Sequence, residues 1–80
     1  MADHSYELYI MPSCPFCHRV LAFMDDHDIN IPLRDITTDR EAEQTLIDVG
    51  GKRQVPCLFI DGKPLYESLD IIDYLAKNLS

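Results

Sequence analysis

Tyr6-Glu7-Leu8-Tyr9-Ile10-Met11-Pro12-Ser13-Cys14-Pro15-Phe16-Cys17 joins a strand to a helix through a turn that carries two cysteines. Tyr6 to Met11 is short, aromatic and β-branched, the composition of a strand. Pro12-Ser13 ends it. Pro15 suits the first turn of a helix, where its missing N–H costs nothing. Phe16, Val20, Phe23 and Met24 then recur at i, i+4, i+7 and i+8, which predicts an amphipathic helix over about residues 15–27. Asp25, Asp26 and Asp28 disfavour the negative end of a helix dipole, so the helix should stop there.

Beyond that helix, Ile31 to Ile36 reads as a weaker strand, with Pro32 near its start. Thr38 followed by Glu41 matches a capping box. Ala42, Leu46 and Val49 continue at helical spacing, and Gly50-Gly51 stops that helix as a C-cap would. Val55 to Ile60 is a strand. Asp61-Gly62 is a two-residue hairpin signal leading into Lys63–Tyr66. Ser68 is a good N-cap, and Leu69, Ile72, Ala76 and Leu79 follow at helical spacing. The order β-α-β-α-β-β-α places the chain in the α/β class. The strand–helix–strand unit implies a parallel pair, and the hairpin adds an antiparallel one. The expected architecture is a mixed four-stranded sheet flanked by helices.

Size and charge narrow the function. Eighty residues, 46% hydrophobic, make one domain, 1–80, with one small core. Seven Lys+Arg against 14 Asp+Glu give a net charge of −7. A polyanion binder needs a basic face to release counterions, so nucleic acid and anionic membrane are excluded as partners. No apolar run is long enough to span a bilayer. Met1 to Ser5 has neither the basic nor the apolar region of a signal peptide, so a cytoplasmic location is expected.

Cys14, Cys17 and Cys57 are an odd number, which argues against a disulfide framework. In a reducing compartment paired cysteines are more often redox-active or metal-binding. Cys14 falls at the turn between strand and helix, where unpaired N–H groups and the helix dipole both stabilise a thiolate. The thiolate is the nucleophile of disulfide exchange. Cys17, one turn further in, is placed to resolve a mixed disulfide formed at Cys14. After a strand, opening a helix in a β-α-β context, Cys-x-x-Cys matches thioredoxin-like redox proteins. Other readings stay open. Cys14 to His18 also fits the attachment pattern of c-type haem, although that needs export. Cys14, Cys17, His18 and Cys57 could supply zinc-type ligands, although a second paired knuckle is missing. The two thiols could also be unreactive.

Taken together, Cys14-Pro15-Phe16-Cys17, Val55-Pro56 before a strand and Glu67-Ser68-Leu69-Asp70 opening the last helix resemble a dithiol glutaredoxin over nearly the whole chain. The region from Gln54 to Ser68 is also similar to the N-terminal domain of glutathione S-transferases. The resemblance implies a thioredoxin-like (glutaredoxin) fold and a glutathione-dependent thiol–disulfide oxidoreductase. Cys14 would be the nucleophile and Cys17 the resolving thiol. Glutathione would be the co-substrate, with no metal, and disulfide-containing or glutathionylated proteins the partners of a monomer. The implied glutathione contacts are Phe16, Arg53, Val55, Pro56, Glu67, Ser68 and Asp70. The Val55 backbone would pair with the cysteinyl part, and Arg53 would meet the glycine carboxylate. Ser68 and the N–H groups opening the last helix would hold the γ-glutamyl carboxylate, as the general anion affinity of helix N-termini supports. The family pattern makes the Val55-Pro56 bond cis, whereas base rates alone favour trans.

Each residue has a plainer role. Ser68 can simply cap, Arg53 can be a solvated loop charge, and Glu67 and Asp70 can complement the helix dipole. Pro56 can merely start a strand, and Cys57 can be a small buried hydrophobe. Tyr9 to Ser13 has no basic residue, where many glutaredoxins carry one, and Glu67 to Ile71 replaces their Gly-Gly and acidic pair. Two alternatives follow. One is a glutathione-independent redoxin, reduced by a flavoprotein and feeding ribonucleotide reductase. The other is an iron–sulfur cluster-binding module, against which Pro15 argues.

Overall fold

A computed structural model describes residues 5–79. The signal-peptide reading rests largely on residues 1–4, which lie outside that range. The elements are β1 (Tyr6–Ile10), α1 (Pro15–Asp26), β2 (Leu33–Asp35), α2 (Arg40–Gly50), β3 (Cys57–Ile60), β4 (Lys63–Tyr66) and α3 (Ser68–Asn78). They form one four-stranded sheet in the order β2-β1-β3-β4. β1 and β2 run parallel, and the β1–β3 and β3–β4 pairs are antiparallel. This is the mixed sheet that the element order implied.

Strand alternation divides the apolar side chains between two faces. Leu8, Ile10 and Leu58 pack with Cys17, Val20 and Met24 of α1 and Ile71 and Leu75 of α3. Tyr9, Cys57 and Phe59 pack on the other face with Ala42 and Leu46 of α2. Tyr9 and Phe59 stack there with ring centroids 4.7 Å apart. Each fully buried aliphatic side chain contributes about 1.5–3 kcal/mol, so these two layers hold the three helices on the sheet.

The helical periods were correct in kind, but five positions leave the core. Phe16 is exposed, because the apolar stripe of α1 runs through Cys17, Val20 and Met24. Val49 is exposed near the end of α2. Leu69, Ala76 and Leu79 are exposed, and the buried stripe of α3 runs through Ser68, Ile71 and Leu75 instead. The strand expected over 31–36 shrinks to Leu33–Asp35. Pro32 has no N–H for the ladder. Its carbonyl still accepts from Leu8 N at 2.9 Å, and Ile36 N donates to Ile10 O at 3.1 Å. Pro64 sits in β4, an edge strand, where a missing donor is tolerated.

Capping differs from expectation in two places. Thr38 does not cap α2. Asp39 does, with Oδ1 accepting the Ala42 N–H at 3.1 Å. The Asp35 carboxylate accepts from the N–H and hydroxyl of Thr37, at 2.8 and 2.6 Å, and the Thr38 hydroxyl turns back to the Asp35 carbonyl. The turn thereby consumes Thr38 and advances the cap by one residue. Ser68 does not cap α3 either. It is the first helical residue and buried, and Glu67 occupies the cap position with no side-chain cap bond. At the hairpin, Asp61 (φ 53°) and Gly62 (φ 84°) adopt the left-handed conformations that a two-residue turn requires.

Candidate active site

Three segments meet where α1 and α3 begin: the β1–α1 loop, the residues before β3, and the β4–α3 junction. Cys14 caps α1 with extended backbone (φ −88°, ψ 117°), and Pro15 takes the first helical turn. Two bonds fix this loop. Cys14 N donates to the Met11 carbonyl at 3.0 Å. The ring of His18, exposed as a helical residue, donates to the Pro12 carbonyl. The Cys14 sulfur is half-buried and lies 3.9 Å from the Val55 carbonyl.

Cys17 is completely buried one turn along. Burial pushes its thiol up to about 12; a hydrogen bond from the Met11 backbone opposes this, and the interaction with Cys14 adds to it. Cys17 therefore stays protonated and acts as a donor toward Cys14. The pair thus combines one accessible sulfur with one shielded thiol in hydrogen-bonding reach. Such a pair can undergo thiol–disulfide exchange through a mixed disulfide at the outer cysteine.

Beside it opens a cavity of about 590 Å³, lined by Phe16, Arg19, Gln54, Val55, Pro56, Glu67, Ser68, Leu69 and Asp70. The Val55–Pro56 bond is cis, against the trans expectation from base rates. The tertiary amide lowers the trans preference to about 0.5–1 kcal/mol, which surrounding packing can override. Glu67 adopts φ 72° and ψ 121°, a conformation that side chains rarely take. Its carboxylate accepts from the Gln54 side chain at 3.4 Å.

Six of the seven residues expected to contact glutathione line this cavity: Phe16, Val55, Pro56, Glu67, Ser68 and Asp70. Arg53 does not. Its Nε donates to Glu43 at 2.6 Å on the α2 side, leaving it a partnered, exposed loop charge. Sequence reasoning missed Arg19, Gln54 and Leu69. Arg19 had a signal, since it stands three residues after Phe16 and shares its exposed helical face. Its guanidinium lies 6.0 Å from the Phe16 ring centroid.

Cys57 is buried on the opposite face of the sheet from Cys17, among Tyr9, Ala42 and Leu46. Burial pushes its thiol up to about 11, partly offset by a bond from the Tyr66 hydroxyl. The zinc reading fails on this geometry, because Cys57 cannot converge with Cys14 and Cys17. Among the described residues, no group of three or more His, Cys, Asp or Glu could hold a metal ion. No described helix is long and apolar enough to cross a membrane.

The sequence model of the Glutaredoxin family matches residues 6–65. Glutaredoxin 1 of Rickettsia felis is 32% identical over 60 residues, covering 72% of this chain and 59% of that protein. The chain thus spans about three fifths of that relative's length. Among solved structures, a thioredoxin-like protein superposes with a TM-score of 0.78 at 25% identity, covering 95% of this chain and 100% of its own. Glutathione transferase Omega 3C from Trametes versicolor superposes with a TM-score of 0.80 at 25% identity, covering 95% of this chain and 34% of that one.

Proposed function

The chain belongs to the glutaredoxin family, and on that premise we propose that it is a thiol–disulfide oxidoreductase with glutathione as its co-substrate. The observation that carries this reading is the half-buried Cys14 at the head of α1, one turn from a buried, protonated Cys17 and beside a cavity at the head of α3.

In the proposed cycle the Cys14 thiolate attacks the glutathione sulfur of a glutathionylated substrate. A Cys14–glutathione disulfide forms, and the substrate leaves as a thiolate that takes up a proton. A second glutathione thiolate attacks the glutathione sulfur of that disulfide, releasing oxidised glutathione and regenerating Cys14. With a protein disulfide, Cys14 forms a mixed disulfide with the protein. Cys17, giving up its proton to the departing protein thiolate, attacks the Cys14 sulfur, expels the reduced protein and leaves a Cys14–Cys17 disulfide. Two glutathiones reduce that bond. Ser68, the N–H groups of α3 and the Val55 backbone hold the tripeptide, with Phe16 and Pro56 as apolar walls. Glu67 and Asp70 face its ammonium group.

Turnover of a small glutathione mixed disulfide with glutathione, coupled to glutathione reductase, tests this. Wild type is active. Cys14→Ser loses all activity. Cys17→Ser keeps deglutathionylation but no longer reduces protein disulfides. Equal loss of both activities in Cys17→Ser overturns the assignment of roles. One observation favours a second reading: Arg53, the cation expected at the glycine end, is occupied by Glu43. If wild type ignores glutathione yet is reduced by a thioredoxin-reductase-type flavoprotein, the glutathione-independent redoxin takes its place.

A further inference from the structure

The cavity at the head of α3 has three charged side chains in its lining, Arg19, Glu67 and Asp70. The two carboxylates suit a ligand ammonium. Arg19 is the cation of that lining, and among the described residues it has no ion-pair partner. Arg34 is held by Glu7 and Asp39, Arg53 by Glu43 and Lys77 by Asp73. An unpaired guanidinium that faces a cavity and rests against an aromatic ring is oriented without being neutralised. Its planar fork matches a carboxylate through two parallel N–H bonds.

We infer that Arg19 binds a carboxylate of glutathione during the exchange reaction, the role that the family pattern assigns to Arg53. The inference rests on the glutathione reading above. Glutathione carries two carboxylates, one on glycine and one on the γ-glutamyl residue, and either supplies the chemistry that Arg19 recognises. Arg53 lies outside the cavity and is already paired, so moving to the ligand would first break its bond to Glu43. Arg19 has no such bond to give up.

The test compares wild type, Arg19→Gln, Arg19→Lys and Arg53→Gln in the coupled assay, with glutathione and with its glycine monoethyl ester as reductants. Reduction of the oxidised protein by dithiothreitol, which has no carboxylate, serves as the control. A charge-assisted bond predicts that Arg19→Gln raises KM for glutathione roughly tenfold or more with little change in kcat. Arg19→Lys recovers part of the loss, Arg53→Gln stays near wild type, and all four react alike with dithiothreitol. If the glycine carboxylate is the one bound, Arg19→Gln loses on glutathione but not on the ester. If it is the γ-glutamyl carboxylate, the loss is equal on both. An unchanged KM in Arg19→Gln, a loss carried by Arg53→Gln instead, or a parallel drop with dithiothreitol overturns the inference. A wild type inactive with glutathione but active with dithiothreitol overturns the glutathione reading and this inference together.

Discussion

The heads of α2 and α3 are built on opposite plans. α2 starts with Asp39 in extended backbone, and its carboxylate takes the Ala42 N–H. Its first turn is acidic, as the helix dipole favours, and its end is closed by Gly51 at φ 85°. α3 starts with Glu67 at φ 72°, has no side-chain cap, and buries Ser68 as its first residue. α2 lies away from the cavity, and every local choice at its head serves stability. α3 opens into the cavity, and its head leaves the first N–H donors without a partner from its own cap. The contrast separates a helix that satisfies itself from one whose donors are available to a ligand. Departures from local rules are expected to gather at functional sites.

The largest effect that tests this contrast is on Ser68. Ser68→Ala should raise KM for glutathione roughly tenfold, the scale of one hydrogen bond to a charged group. Its melting temperature should stay close to wild type, because no cap is lost. A lower melting temperature with unchanged KM would make Ser68 a structural residue and erase the difference between the two helices.

The second effect belongs to α2. Asp39→Ala removes a cap and one of the two carboxylates that hold Arg34, and should lower the melting temperature by several degrees while leaving KM alone. The Ala42 backbone bond and then the Arg34 guanidinium hold the Asp39 carboxyl below its ordinary value. A carboxyl depressed in the folded state stabilises above its unfolded value near 4, and that contribution is lost as pH falls through the folded value. Melting temperatures measured from pH 6 down to pH 3 should therefore fall more steeply for wild type than for Asp39→Ala. Parallel curves would show that the cap does not carry the stability of this helix head.

The sequence was a good guide wherever a signal is local. The period-2 and period-3.6 patterns placed all seven elements, Asp61-Gly62 marked its hairpin, and Cys14-Pro15-Phe16-Cys17 marked the redox pair at the head of α1. Signals that depend on distant groups were not legible. Thr38 and Asp39 are both good caps, and only the turn around Asp35 decides between them. Arg53 and Arg19 are equally charged on paper. What distinguishes them is Glu43, ten residues from Arg53 in sequence and in contact with it in the fold. Gly50 reads as a helix stop, yet a Cβ there would also collide with the Tyr66 hydroxyl of β4. The positive φ of Glu67 leaves no trace in residue type, since local rules favour glycine there, and a proline at position 56 permits a cis bond without deciding for it.

The smallest effect is the most informative about α3. Glu67 is a side-chain-bearing residue at φ 72° and ψ 121°, outside the left-handed helical region, and such sparsely populated backbone costs about 1–3 kcal/mol. Glycine in turn loses more conformational entropy on folding, about 0.5–1 kcal/mol relative to alanine. Relief of the strain matches or outweighs that loss, so Glu67→Gly should be as stable as wild type or more so. Glu67→Ala keeps the strained backbone without the Gln54 bond and should melt lower than the glycine variant. Both lose the carboxylate and should show the same raised KM for glutathione. A shared KM with split stabilities would mean that strain at the head of α3 is retained to place one carboxylate in the cavity. If glycine melts lower than alanine, the positive φ is not a strained position. If KM is unchanged in both, Glu67 shapes the loop without meeting the ligand, and the contrast with α2 reduces to the missing cap alone.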